Sequence, residues 1–364
     1  MASARAGGRV LHVTACYDGG VRSAIDRLVE LTPEWDHHLL FGGGARREAP
    51  SEDLASVERL RPSSVSRVAD VRAAVRRVGA DVVHAHSSLA GIYARLGVVP
   101  GTPVLYQPHG FAFEDHRRSP LGRGAIRAVE SVLAPLAAAV VTVSDHERRL
   151  ATRLGTTRAV RTVHNVPSVR IRAGRPGRVA GEPPLVVTLG RVCPQKDPAF
   201  FAGVADAVRD LAPAVRFAWI GDGDADLRER LEASGVTVLG WRSGRDLEAA
   251  LDAADVYLHP AAYEGFPIAV LDAAARALPV VVRDIPPFDG TGLATVRTPA
   301  EAARSIVGLL TDAAAADRVH RATQRVLDVM NTDTARAAAV RLYAEVTASP
   351  QLVPVEPPVL AGDA

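Results

Sequence analysis

With 364 residues the chain is too long for one ordinary core and fits two domains. Its 48% hydrophobic and 23% charged residues mark a globular protein, and a formal net charge of +2, mixed along the chain rather than gathered in basic tracts, argues against nucleic-acid binding. The two cysteines, Cys16 and Cys193, lie far apart outside any Cys-x-x-Cys arrangement, which suits a reducing, cytoplasmic setting and gives no zinc site.

The apolar run Val10–Ala15 is too short for a signal-peptide core and predicts a first buried strand. Asp18-Gly19-Gly20 follows and opens a helical pattern over Val21–Leu31. Glycines let a backbone approach a ligand closely, and a helix N-terminus offers free N–H groups to an anion. The turn therefore reads either as an ordinary tight connection or as a phosphate contact; it is not the Gly-x-Gly-x-x-Gly fingerprint. Strands are predicted next at 37–41, 81–85 and 103–107. His84 and His86 share one side of their strand and imitate a metal pair, with no third ligand suggested nearby. His109-Gly110 follows 103–107, where a histidine either reaches a cleft floor or is satisfied by a backbone carbonyl. Arg117, Arg118, Arg123 and Arg127 interleave with Leu121, Ile126 and Val129, as on a solvated helix face or a surface for anionic lipid. The run Val132–Val143 contains Pro135 and falls short of the ~20 residues of a spanning helix, so any membrane contact is peripheral. Strands at 139–143 and 160–163 complete the first set.

The stretch Val169–Pro184 is rich in Gly, Pro and Arg, lacks apolar periodicity and reads as a linker. Further strands are predicted at 185–189, 215–220, 235–239, 254–259 and 279–283, with a helical pattern over Phe200–Leu211. Strand–helix alternation in two sets predicts two α/β domains, each a doubly wound parallel sheet, with a ligand outside the carboxyl ends of the strands. The chain holds one lysine among 43 basic residues, Lys196, in Gly190-Arg191-Val192-Cys193-Pro194-Gln195-Lys196 after strand 185–189. Arg191 and Lys196 can converge there on phosphate, a planar fork beside a point charge. Asp222-Gly223-Asp224 imitates a calcium loop but has Leu227 where glycine is needed and Ala233 in place of the bidentate glutamate. The cysteines have no evident base partner and are expected to be buried small apolar residues.

Tyr263-Glu264-Gly265-Phe266-Pro267-Ile268-Ala269-Val270-Leu271-Asp272 follows strand 254–259 and is expected to open a helix reaching Leu278, with Pro267 in its first turn. Free N–H groups at Gly265, Phe266 and Ile268 beside the Glu264 and Asp272 carboxylates suit a ligand both anionic and hydroxylated. Residues 333–348 predict a final amphipathic helix, and the proline-rich 349–364 a disordered tail.

These pieces, in this order, resemble the retaining glycosyltransferases of family 4, which have the GT-B fold, two Rossmann-like domains facing across a cleft. The combination of Gly-Arg-x4-Lys, Glu-Gly-Phe-Pro and a carboxylate eight residues after the glutamate carries most of the resemblance, supported by His84-Ala85-His86-Ser87, His164-Asn165-Val166-Pro167 and Leu239-Gly240-Trp241. It implies an acceptor-side domain over 1–168, a linker over 169–184, a nucleotide-sugar domain over 185–332 and a last helix returning to the first domain. By the family's pattern Arg191 and Lys196 neutralise the diphosphate, Gly19 and Gly20 contribute backbone donors to it, Glu264 and the backbone of Gly265, Phe266, Pro267 and Ile268 hold the sugar, Asp272 binds the ribose, His109 lies beside the transferred sugar, and the backbone of Trp241 and Arg242 faces the base. The expected donor is a UDP- or GDP-hexose and the acceptor a polysaccharide, lipid or small molecule of the cell envelope, with neither metal nor further cofactor. Three departures stand out: Asp272 for the usual glutamate, Ala261 for serine, and Asn165-Val166 for asparagine–glycine. A catalytically silent sugar-nucleotide-binding subunit and a nucleotide-sugar epimerase of the same fold remain open.

Overall fold

The computed structural model describes residues 7–44, 49–97, 99–155, 159–174 and 181–348. In chain order the elements are β1 (Arg9–Tyr17), α1 (Gly19–Leu31), β2 (Asp36–Gly44), β3 (Ser56–Arg59), α2 (Ser64–Val78), β4 (Val82–His86), α3 (Ser88–Leu96), β5 (Val104–Gln107), α4 (Pro120–Leu133), β6 (Ala139–Thr142), α5 (Asp145–Arg153) and β7 (Val160–Thr162). They continue with β8 (Leu185–Leu189), α6 (Pro198–Leu211), β9 (Arg216–Ile220), α7 (Ala225–Ala233), β10 (Val236–Val238), α8 (Gly244–Asp252), β11 (Val256–His259), α9 (Ile268–Ala275), β12 (Val280–Arg283), β13 (Ala294–Val296), α10 (Pro299–Thr311), α11 (Ala313–Val329) and α12 (Thr332–Ala348).

The chain divides into two compact units, residues up to Val163 together with those from Arg336, and His164–Ala335. The first holds a parallel sheet of order β3-β2-β1-β4-β5-β6-β7, the second one of order β10-β9-β8-β11-β12-β13. Each is a Rossmann-like sheet whose winding reverses next to its first strand, at β1/β4 and at β8/β11. Loops leaving the carboxyl ends of those strands therefore frame the ligand crevice of each unit.

The expected strands are all found, and β3 and β13 are added. Both are short edge strands, and β3 alternates between half-buried and exposed, so neither carries the continuous apolar run of an interior parallel strand. In the second unit Val186, Phe201, Val204, Phe217, Trp219, Leu258 and Ile306 share one core. In the first, Ala339, Leu342, Tyr343 and Val346 of α12 share a cluster with Val10, Trp35, Val82 and Leu105.

The second unit begins before the stretch that composition marks as a linker. Asn165 Nδ2 donates to the Phe266 carbonyl at 2.7 Å, and Arg172 N–H to the Ala275 carbonyl at 2.7 Å, so the backbone is bound to that unit from about residue 165. Residues 175–180 of the linker and the proposed tail 349–364 lie outside the described residues.

Candidate active site

In the second unit the loop after β8 is stapled to the extension of β9. Gly190 N–H donates to Ile220 O at 2.9 Å, Val192 N–H to Asp222 O at 3.0 Å, and Trp219 Nε1 to Gly190 O at 2.7 Å. The approach is so close that a Cβ on Gly221 would lie 2.0 Å from Gly190 O and one on Gly223 2.1 Å from Val192 O. Arg191 is exposed on this loop, and the short 3-10 turn Pro194–Lys196 follows. The turn is tied to the loop after β11 by Ala262 N–H to Gln195 O at 2.9 Å and Gln195 Nε2 to Tyr263 O at 3.2 Å.

That tie brings together two of the residues singled out in the sequence. Lys196 Nζ lies 2.5 Å from Glu264 Oε1. Glu264 is 8% exposed, so burial pushes its carboxyl up, yet the Lys196 ammonium and the His259 ring outweigh burial and hold it down at about 2. The carboxylate is thus ionised and accepts hydrogen bonds. His259, at the carboxyl end of β11, places Nε2 3.4 Å from Glu264 Oε1 and shares Nδ1 with Tyr257 Oη at 3.1 Å. Burial lowers its ring below the ordinary histidine value, opposed by Glu264. Sequence reasoning passed over His259, although it stands at a strand end as His109 does.

Helix α9 is shorter than expected: it starts at Ile268 and ends at Ala275, where Ala277 takes a left-handed φ of 61°. Pro267 is its N-cap rather than a first-turn residue, and with no N–H it leaves Ile268 and Ala269 as the first donors. Gly265 and Phe266 lie buried in the loop before it. Asp272, buried inside α9, accepts from Ser168 N–H at 2.5 Å and Ser168 Oγ at 2.8 Å. Its oxygens therefore fasten the chain entering the unit, a partner that the sequence did not signal. Trp241, half-buried, and Arg242, exposed, occupy the loop between β10 and α8, behind the bridge Gly221–Gly240. Asp222 and Asp224 are structural: Asp224 caps α7 through Leu227 N–H at 3.1 Å, and Asp222 accepts from Gly223 N–H at 2.9 Å.

In the first unit α1 starts directly after β1. Gly19 has a left-handed φ of 54° and gives its N–H to Asp18 Oδ1 at 2.8 Å, so a phosphate there would take that donor from the N-cap carboxylate. Gly20 opens onto free space: a Cβ added there would meet no heavy atom within 4 Å. His109, half-buried after β5, also has a left-handed φ of 54°, rare for a residue with a side chain and typical of functional turns. The next residue holds that turn in place: Gly110 N–H donates to Glu147 Oε1 at 2.5 Å, and Val143 N–H to Glu147 Oε2 at 2.9 Å. Burial pushes the Glu147 carboxyl up to about 7 against those two donors.

Behind His109 runs a file of imidazoles. His109 Nε2 lies 3.0 Å from His86 Nδ1, His86 Nε2 3.0 Å from His12 Nδ1, and His12 Nε2 3.0 Å from His37 Nδ1. Burial lowers the rings of His12, His86 and His109, the last to about 4, so they are neutral at pH 7. His12 is the third histidine that the sequence did not place beside His84 and His86; all three offer nitrogens within 4.8 Å of one another. It comes from β1, whose register sets His12 opposite His84. Cys16 is exposed rather than buried, because β1 runs on to Tyr17 and carries it to the strand's carboxyl end; Cys193 is half-buried.

The second of the two parallel sheets thus carries a lysine–glutamate pair at its switch point, where an α/β unit of this kind takes its ligand. Residues 2–167 match the family model described as a glycosyl transferase 4-like domain, and residues 183–312 the model of the glycosyl transferases group 1. The chain belongs to the group 1, GT4-type glycosyltransferases. It is 28% identical over 232 residues to the Escherichia coli UDP-Gal:alpha-D-GlcNAc-diphosphoundecaprenol alpha-1,3-galactosyltransferase, a match covering 56% of this chain and 58% of that enzyme. The fold is that of a sucrose-phosphate synthase from Thermosynechococcus elongatus (TM-score 0.76, 16% identity, 94% of this chain and 100% of that one). It is equally that of Anabaena HepE in complex with UDP and glucose (TM-score 0.75, 17% identity, 93% and 100%).

Proposed function

We propose that the chain moves a hexose from a UDP- or GDP-sugar to a glycan, lipid-linked or small-molecule acceptor, with retention at the anomeric carbon and without a divalent ion. The observation that carries this reading is the Lys196–Glu264 pair at the carboxyl ends of β8 and β11. Departure of a nucleoside diphosphate builds negative charge on the β-phosphate while the sugar becomes cation-like. Lys196 and Arg191 meet the first charge, and the ionised Glu264 accepts from sugar hydroxyls and faces the second. A carboxylate held at about pKa 2 is no proton donor at neutral pH, so Glu264 binds and orients rather than acting as a general acid. The E. coli relative's UDP-galactose and the UDP and glucose held by HepE support a uridine diphosphate donor. Asp272 reaches a ribose only by sharing oxygens with Ser168.

Contact with anionic lipid is part of the proposal for a lipid-linked acceptor. The surface of α4 and its end exposes Leu121, Val129, Val132 and Leu136, whereas Ile126 turns inward onto Phe111, Phe113 and Val140. Arg117 and Arg118 share the single carboxylate of Asp115, and Arg127 is exposed on α4 beside those apolar residues. No helix among the described residues is long and apolar enough to cross a membrane.

The test is purified protein with a panel of UDP- and GDP-sugars, read by product NMR with and without EDTA. Transfer with the donor's anomeric configuration kept, indifferent to chelator, is expected. Neither transfer nor donor hydrolysis with any sugar would sink the reading, and epimerised donor without transfer would favour the epimerase.

A further inference from the structure

The file of imidazoles behind His109 has an unambiguous start. His37 Nε2 faces the Thr32 carbonyl at 3.0 Å and Thr32 Oγ1 at 3.1 Å. The carbonyl can only accept. The hydroxyl hydrogen is already given to Leu28 O at 2.6 Å, so toward His37 that oxygen accepts as well. His37 Nε2 must therefore carry the proton, and in a neutral ring its Nδ1 is then bare. A bare Nδ1 on His37 obliges His12 to donate from Nε2. That leaves His12 Nδ1 bare and obliges His86 to donate from Nε2, which in turn obliges His109 to donate from Nε2 to His86 Nδ1. Each link is 3.0 Å, and His12, His37 and His86 are fully buried. A reversed link would leave two lone pairs or two protons face to face.

We infer that His37, His12 and His86 are positioning residues that lock His109 in its Nε2–H tautomer, so that a bare Nδ1 is presented as the hydrogen-bond acceptor for a substrate hydroxyl. The wrong tautomer would put an N–H there, and an N–H cannot accept from an O–H. The direction of the file thus decides what His109 can recognise: a hydroxylated ligand donating to Nδ1, not a carbonyl or phosphate oxygen. A cation held by His12, His84 and His86 is the competing use of these rings, but the His12 and His86 nitrogens already share one proton at 3.0 Å. The ligand half of the inference rests on the reading of His109 as a sugar contact; the tautomer half does not.

Long-range nitrogen–proton correlation spectra of the full chain, labelled with 15N at histidine and free of substrate, separate the two halves. Expected are protonated Nε2 and bare Nδ1 on His37, His12, His86 and His109, unchanged on addition of Zn2+. A protonated Nδ1 on His109, or Zn2+ shifting the His12 and His86 resonances, overturns the inference whether or not the protein transfers sugar. In His12→Phe the link is cut, and His109 is expected to become a mixture of tautomers, with turnover lowered in proportion to the Nε2–H form lost, about two-fold for an even mixture. A single Nε2–H tautomer retained in that variant equally overturns it, and should the variant not fold, the wild-type spectrum decides alone.

Discussion

Lys196 and Glu264 neutralise one another at 2.5 Å, and that makes each depend on the other's charge. A phosphate arriving at Lys196 competes with a carboxylate already there, so binding favours a ligand that also gives Glu264 hydroxyl donors. Lys196→Ala is expected to lower kcat about 100-fold or more in the transfer assay, as for removal of one electrostatic donor from a closed site. The pH dependence of stability follows from the Glu264 carboxyl standing at about 2 against an ordinary 4.5. A depressed pKa contributes stability above the ordinary value, and that contribution is lost as pH falls from about 4.5 toward 2. The urea midpoint of wild type should therefore exceed that of Glu264→Gln at pH 7 and converge on it as pH falls through that window. A gap that stays constant with pH would remove the pair from the stability account. Lys196, Arg191 and Glu264 were singled out because they follow apolar runs at strand ends, Lys196 also as the one lysine of the chain. His259 was legible by the same rule, though unused. Ser168, Asn165 and Glu147 were not, since each acts through hydrogen bonds to groups 37 to 104 positions away, and no local pattern encodes such a pairing.

At the scale of elements, the loop after β8 owes its shape to glycines across from it. Gly221 has a φ of 141°, and its missing Cβ admits Gly190 O at a distance no side chain tolerates. Gly221→Ala is expected to cost about 3 kcal/mol in chemical denaturation, through strain and displaced backbone, and to weaken donor binding with it. Unchanged stability would mean that the loop is held elsewhere. In the first unit Arg95 Nη2 pairs with Glu130 Oε2 at 2.8 Å and Tyr106 Oη donates to Oε1 at 2.8 Å, all fully buried. Removing Arg95 strands a buried carboxylate, so Arg95→Ala should destabilise by about 3–5 kcal/mol, whereas replacing Arg95 and Glu130 together by apolar residues should cost less. Interior strands were readable because a parallel strand covered on both faces is an unbroken apolar run. The edge strands β3 and β13 and the early end of α9 were not, because half-exposed strands and a helix stop set by Ala277 leave no apolar signature.

For the whole molecule, the return of α12 to the first unit is the main departure from a linear reading of two domains. Ala339, Leu342, Tyr343 and Val346 complete a core begun by Val10 and Trp35. A chain ending at Ala335 should leave that apolar surface open, and calorimetry is expected to show the transition of the first unit lowered or lost while that of the second persists. Both transitions unchanged would show that the helix adds nothing to the core. The two-sheet plan was legible from alternation alone, whereas the point at which the chain changes unit was not, since composition flags Gly and Pro but not the hydrogen bonds that capture residues 165–172 first.

His84 and its hydrogen-bond partner Tyr343 stand 259 positions apart in the chain. During synthesis the N-terminal half leaves the ribosome with the seat for that tyrosine empty, and it waits until the other half has been made. The unit begun first is therefore finished last, and in the interval its uncovered apolar strands are what a chaperone would grasp.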